Sequence, residues 1–272
     1  MPAVLVTGTS SGIGLATVAR FHAAGWQVIA TVRAQADAVR LLAQFSGITT
    51  LELDLVDARA VVCVIGGELA ERGGVDVVVN NAGASIVGAA EELSLDDFRA
   101  QLDLNLFAAI QVTQLALPFM RARGTGRIVQ ISSGFGRIAL PIFSAYCAAK
   151  YALEGFSEAL AHEIAPFGVQ VSLIEPGAVA TQFDSNRRVA QGYNENGPYA
   201  VLYRVMRARL ANAHNKRTSS AEDVAALVFK AATTNRPALR YTVGGMGAAA
   251  ALAARFVPDR LKQIAVARIT KP

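Results

Sequence analysis

Two side chains near the middle of the chain have the types and spacing for proton transfer. Tyr146 and Lys150 stand four residues apart in a helical pattern, so they share one helix face. A cation beside a phenol favours the phenolate and draws the phenol pKa toward neutrality. Taken alone, such a pair reads as a surface couple. A second candidate is Thr7-Gly8-Thr9-Ser10-Ser11-Gly12-Ile13-Gly14. It follows a short β-branched run and opens a helical one, which is where an open α/β sheet holds a dinucleotide pyrophosphate. Glycines allow a tight turn and close backbone approach, and the helix N-terminus offers its N–H groups to the anion. The spacing is G-x-x-x-G-x-G, and a structural βα turn uses the same residue types. A third is Asn80-Asn81-Ala82-Gly83, whose small residues let the chain pass close to a nucleotide and whose Asn side chains can tie strands together.

The elements that must carry these residues alternate along the chain. Strands are expected at Val4–Thr7, Gln27–Val32, Ile48–Leu53, Val75–Asn80, Arg127–Ser132, Val169–Ile174 and Arg240–Val243. Helices are expected at Ile13–Ala24, Ala34–Phe45, Ala58–Glu71, Asp96–Arg121, Ala145–Pro166 and from Ser220 to near Thr233. Ser94 is a plausible cap ahead of Asp96 and Asp97. The strands are nearly continuous apolar runs, as in a parallel sheet covered on both faces. The expectation is a Rossmann-like doubly wound α/β domain of three α/β/α layers over residues 1–243. A C-terminal helical extension at 244–272 acts as a lid or an oligomer contact. Between Pro176 and Ser220 the pattern loosens, and residues 182–218 read as a mobile substrate loop.

Composition narrows the function. The 272 residues are 53% hydrophobic and 17% charged, which excludes a disordered chain. No window reaches the roughly 18 consecutive apolar residues of a membrane span, and Leu104–Met120 reads as a buried helix. The net charge of +5 is spread among acids, so nucleic acid is not an expected partner. Cys63 and Cys147 form no disulfide framework, and His22, His162 and His214 are too scattered for a metal site. The opening residues read directly as strand and turn rather than as a leader, and a cytoplasmic location is expected.

Together these features resemble the short-chain dehydrogenase/reductase family, in its single-domain branch, over roughly residues 3 to 243. The resemblance rests on the Thr7–Gly14 turn, Asp54, Asn80–Gly83, Asn105, Ser133, Tyr146 with Lys150, and Pro176-Gly177 with Thr181. They occur in family order, with Ser133 13 positions ahead of Tyr146. The resemblance implies that Tyr146 is the general acid/base and that Lys150 lowers its pKa and holds the nicotinamide ribose. It implies that Ser133 orients the substrate oxygen and that Asn105 holds a water in the relay to Lys150. Asn-Leu-Phe-Ala at Asn105 departs from the Gly that many relatives carry at the fourth place. The implied cofactor wall is Gly8, Ser10, Ser11, Gly12, Ile13, Gly14, Asp54, Leu55, Asn81, Ala82, Gly83, Pro176, Gly177, Val179 and Thr181. Asp54 meets the adenine amine there, and Thr181 the carboxamide. Strand two's ending Ala-Thr-Val-Arg and the tail Arg-Phe-Val-Pro-Asp-Arg-Leu are similar to the hydroxysteroid and retinol dehydrogenase subgroup.

Where an NAD site ends strand two with an acid, this chain has Val32 and then Arg33. Arg33 can grip a 2′-phosphate with a charged fork, helped by Ser11, so NADP(H) is expected over NAD(H). Phe183, Tyr193, Tyr199, Val201, Leu202, Tyr203 and Met206 in the substrate loop suit an apolar, fairly bulky side to the substrate, and the expected partner is a small-molecule apolar carbonyl or alcohol. Arg187 and Arg188 read as solvated, and Cys147 and Trp26 as core. A non-catalytic NADP(H)-sensing regulator on the same fold is the alternative, and the intact Ser133–Tyr146–Lys150 set opposes it. The apolar stripes of the two long helices point to a homodimer or homotetramer.

Overall fold

The computed structural model describes residues 1–183, 187–216, 219–244, 254 and 256–270. The chain runs β1 (Ala3–Val6), α1 (Gly12–Ala23), β2 (Gln27–Val32), α2 (Gln35–Gln44) and β3 (Thr49–Glu52). A single turn α3 (Ala58–Ala60), a π-helical stretch Val61–Gly66 and α4 (Gly67–Arg72) lead to β4 (Val77–Asn80). Then come β5 (Ile86–Val87), α5 (Leu95–Leu102), a second π-helical stretch Asp103–Phe107 and α6 (Ala108–Arg123). After these follow β6 (Gly126–Ile131), α7 (Ser144–Ile164), β7 (Val169–Pro176), β8 (Arg188–Val189) and α8 (Ala200–Lys216). The remaining elements are α9 (Ala221–Thr233), β9 (Arg240–Val243) and α10 (Asp259–Thr270).

Seven strands form one sheet in the order β3-β2-β1-β4-β6-β7-β9, with every neighbouring pair parallel. β1 and β4 are buried along their whole length because helices cover both sheet faces. On one face Phe21 and Val18 of α1 meet Val224 and Val228 of α9. On the other, Val61 and Ile65 pack with Val112 and Ala116 of α6 and Leu160 of α7. This is the expected three-layer α/β/α arrangement. The chain reverses its direction of growth between β1 and β4, which opens a crevice at their carboxyl ends.

Local chemistry sets the helix ends. Ser94 and Asp97 form a capping box at the start of α5, and Ser220 and Asp223 form one at the start of α9. Leu95–Arg123 is long and apolar enough to cross a bilayer by length and composition. Here Val112, Ala116 and Met120 bury its face on the sheet, as expected of a core helix.

Two expectations are corrected. The segment from Pro176 to Ser220 is not only loop: β8 pairs with β5 across about 100 residues, and α8 is a 17-residue helix. The hydroxyl of Tyr203 on α8 accepts from the Ala89 amide at 2.7 Å and donates to Glu92, tying the helix to the chain after β5. Both long helical runs before β4 and β6 contain π-helical turns, which apolar spacing did not show. The Ala-rich stretch 245–253 lies outside the described residues.

Candidate functional site

One cavity of about 810 Å³ runs from the glycine turn across the carboxyl ends of the sheet to α8 and α10. Gly8 (φ +67°) bends the turn, and a side chain there would come within 2.8 Å of the Ala82 backbone. The turn is held from outside. Asn81 Nδ2 donates to the Thr7 and Gly8 carbonyls, both at 2.9 Å, and Thr7 Oγ1 accepts from the amides of Asn81 and Ala82. Asn80 does the same for α6, donating to the Ala109 carbonyl and to Thr113 Oγ1. The Asn residues therefore tie strand ends together, and Asn81 also faces the cavity.

Gly8, Ser10, Ser11, Gly12, Ile13, Arg33, Asp54, Leu55, Asn81, Ala82, Gly83, Pro176, Gly177, Val179 and Thr181 all line the cavity. Gly14 is not among the lining residues. Its missing Cβ leaves room for the Gly8 carbonyl, which a side chain would meet at 2.2 Å. Ser11 caps α1 with its backbone alone, and no acid occupies the first turn of that helix. The N-terminus of α1 therefore faces the cavity without a resident counter-charge.

The second part of the cavity holds Ser133, Tyr146 and Lys150. Ser133 lies two residues past the end of β6 and caps a 3₁₀ turn, its Oγ accepting from the Phe135 amide at 3.1 Å. Tyr146 lies in the first turn of α7, with Phe135 edge-on to its ring at 6.1 Å and Phe183 at 6.0 Å. Lys150 sits one turn on, its Nζ 5.8 Å from the Tyr146 ring centre, and donates to the Ile131 carbonyl at 2.8 Å. Burial pulls the Lys150 ammonium down to about 8, opposed by the nearby Glu154 charge.

Asn105 is brought up from behind by the second π-helical stretch. Its amide donates to the Ala84 carbonyl at 2.8 Å and accepts from the Ala84 amide at 2.9 Å, so it clamps the chain after β4. It is buried outside the cavity lining, against Gly83. A π-turn moves a side chain out of the α-helical register, and such turns recur at functional sites.

A charge cluster buried at Glu154 and Glu175 and open at Glu158 backs the site. Arg240 Nε reaches Glu154 at 2.9 Å and Glu175 at 3.4 Å, while its Nη2 holds Glu158 at 2.7 Å. Arg137 stands 3.9 Å from both Glu154 and Glu175. Burial and the neighbouring Glu154 charge push the Glu175 carboxyl up to about 7.

The substrate end differs from expectation. Phe183 lines the cavity as expected, but Tyr193, Tyr199, Leu202, Tyr203 and Met206 pack into a cluster behind Tyr146 and Cys147. Val201 points to solvent. Residues not anticipated take their place: Leu140, Phe143, Leu210 and, from the C-terminal segment, Val257, Leu261, Ala265 and Val266. Tyr203, Met206 and Leu210 recur at helical spacing, a signal that could have revealed α8. The two loop arginines are not simply solvated. Arg187 lines the cavity with its guanidinium 5.3 Å over the Phe143 ring, and Arg188 pairs with buried Asp97 at 2.7 Å. Trp26 and Cys147 are packed as expected.

Comparison with known proteins agrees with this geometry. Residues 2–192 match the short chain dehydrogenase family. Human 17-beta-hydroxysteroid dehydrogenase type 1 is 36% identical over 88% of this chain and 76% of its own length. A crystal structure of a short-chain dehydrogenase from Streptomyces avermitilis superposes with a TM-score of 0.86 at 34% identity, covering 98% of this chain and 96% of that one. The closed form of serine dehydrogenase complexed with NADP+ gives a TM-score of 0.75 at 26% identity, covering 89% and 94%.

Proposed function

The chain belongs to the short-chain dehydrogenase family, and on that premise we propose that it moves a hydride between NADP(H) and an alcohol/carbonyl pair on an apolar substrate. The observation that carries this is the burial of Tyr146 beside Lys150, with Ser133, in one cavity with the glycine turn. The residues fit a dinucleotide. The turn leaves a backbone cradle at Gly8 and Gly12, the α1 N-terminus is uncompensated, and the Ser11 hydroxyl is not spent on capping. The pyrophosphate is held by the turn, the adenosine by Asp54, Leu55, Asn81 and Ala82, and the nicotinamide side by Pro176, Gly177, Val179 and Thr181. Arg33 is exposed at the cavity edge after Val32, where a guanidinium can grip a 2′-phosphate.

A nicotinamide dinucleotide supplies or accepts the hydride. The chain's own residues hold the reacting oxygen and move its proton. Ser133 Oγ and the Tyr146 hydroxyl bind that oxygen, and Tyr146 gives up the proton in reduction or takes it in oxidation. Lys150 stabilises the phenolate that reduction leaves behind. Asn105, by clamping Ala84, keeps the chain after β4 in place behind the lysine. The aromatic and aliphatic lining excludes water from the exchange and selects an apolar substrate. The hydroxysteroid named for the human relative is an apolar molecule of this kind.

The same reading extends to assembly and location. We infer a homodimer or homotetramer built on α5, α6 and α7. A cytoplasmic setting fits the two free cysteines, Cys63 and Cys147. The test is loss of NADPH absorbance over a panel of ketones and aldehydes. Tyr146→Phe is expected to lower turnover by about 10²–10⁴-fold while NADPH still binds. Tight NADPH binding with no turnover of any carbonyl class overturns the proposal in favour of a cofactor sensor.

A further inference from the structure

Charge is unevenly distributed over the molecule. Helices α8 and α10 together hold seven lysines and arginines against one acid, Asp259, an excess of six positive charges in a chain whose total is +5. The two helices pack on each other, and although Glu195 stands 3.7 Å from Arg207 and Glu91 and Glu92 hold the hydroxyls of Tyr199 and Tyr203, the positive excess persists along α10 and the rest of α8. Arg204, Arg207 and Arg209 on α8 and Arg260 and Arg268 on α10 are exposed. The same region leaves apolar side chains in solvent: Phe256 is 68% exposed, Leu261 55%, Val201 48% and Ile264 41%.

The spacing along α10 sorts these residues by face. Arg260, Ile264 and Arg268 recur every four residues and form an outer stripe next to Leu261. Val257, Leu261, Ala265 and Val266 line the cavity from the other side, together with Lys262, whose ammonium is paired with Asp259 at 3.0 Å. Leu261 belongs to both, so the apolar surface is continuous with the cavity wall. Basic side chains flanking aliphatic ones on a helix surface describe an interfacial helix: the aliphatic groups enter the acyl boundary while arginine heads reach the headgroups.

We propose that the α8–α10 face docks on an anionic lipid bilayer and that apolar substrate enters the cavity from that surface. The substrate half of this rests on the apolar cavity assigned above. A second copy of the chain is a poor occupant, because a two-fold contact would set the positive excess of one copy against that of the other. Nucleic acid would use the arginines but give Phe256, Leu261 and Ile264 no role.

The test is flotation of the full chain with vesicles of phosphatidylglycerol and phosphatidylcholine in equal parts, against phosphatidylcholine alone. The protein is expected to float with the anionic vesicles only. At 1 M salt, where the screening length is about 3 Å, binding should fall sharply. Arg260→Glu with Arg268→Glu should lower vesicle binding by more than about tenfold, since each basic group at an anionic surface is worth about a fivefold factor and two are lost. Its turnover of a water-soluble aldehyde and its melting temperature should match the parent. Ile264→Ser, which removes apolar surface without adding charge, should weaken binding without changing the salt response. The proposal is overturned by no flotation on anionic vesicles, by undiminished flotation of the double variant, or by a changed solution mass in that variant. Flotation needs no turnover, so a chain that floats yet reduces no carbonyl sustains the surface and sinks only the catalytic reading.

Discussion

At Lys150, burial and function pull in opposite directions. The ammonium must be charged to stabilise the Tyr146 phenolate, yet its surroundings lower its pKa to about 8. Carbonyl reduction is therefore expected to fall as the pH rises through about 8 and the lysine loses its proton. The Glu154 charge holds that pKa up, so Glu154→Gln should move the alkaline limb of the kcat/KM profile to lower pH. An unmoved limb would show that another group titrates there. Arg33 carries the second residue-scale expectation. Arg33→Ala should weaken NADPH by about 1.5–3 kcal/mol, the worth of a hydrogen bond to a charged group, and leave NADH nearly unchanged. Val32→Asp should shift preference toward NADH by placing a carboxylate against the phosphate. Equal losses for both cofactors in the Arg33 variant would place the phosphate elsewhere.

Three elements, α7, β7 and β9, meet at the Glu154–Glu158–Glu175–Arg240 cluster, joined by Arg137. Burial of Glu175, with the Glu154 charge beside it, outweighs the pull of Arg137 and Arg240, so Glu175 holds its proton to a higher pH. Glu175 ionises near pH 7 rather than at its ordinary 4.5. The folded chain then binds more protons than the unfolded chain across that window. Stability is present below about 4.5 and is lost as the pH rises toward 7. Glu175→Gln removes the titration, so the variant should gain melting temperature relative to the parent between pH 5 and pH 8. A constant difference across that range would show that Glu175 is not the titrating group.

At the scale of the whole molecule, two faces bear on the partners proposed for it. One is the basic α8–α10 face. The other is carried by the two long helices beside the site, where Leu95, Phe107 and Tyr151 are exposed. Closed symmetric assemblies bury such faces, and an assembly about α5, α6 and α7 uses neither α8 nor α10. Light scattering is expected to give two or four times the 28.6 kDa of one chain. A mass of one chain at micromolar concentration overturns that expectation.

The amino-acid sequence alone determined what neighbours within a few residues decide. The strand–helix alternation, the glycine turn, the Tyr146–Lys150 face and the Ser94 and Ser220 caps all depend on local spacing, and each stands in the structure. Tertiary structure decided whatever depends on residues far apart in the chain. The π-turn at Asn105 answers to Ala84, which clamps both ends of its amide. Two-residue strands such as β5 and β8 have no periodicity to read and exist only because they meet. Arg187 and Arg188 look alike in sequence, and only the fold gives one a ring in the cavity and the other a buried carboxylate. The roof over the cavity came from α10, about 110 residues beyond Lys150: its local pattern showed a helix and left lid and oligomer contact both open, and only the fold set Leu261, Ala265 and Val266 in the cavity wall.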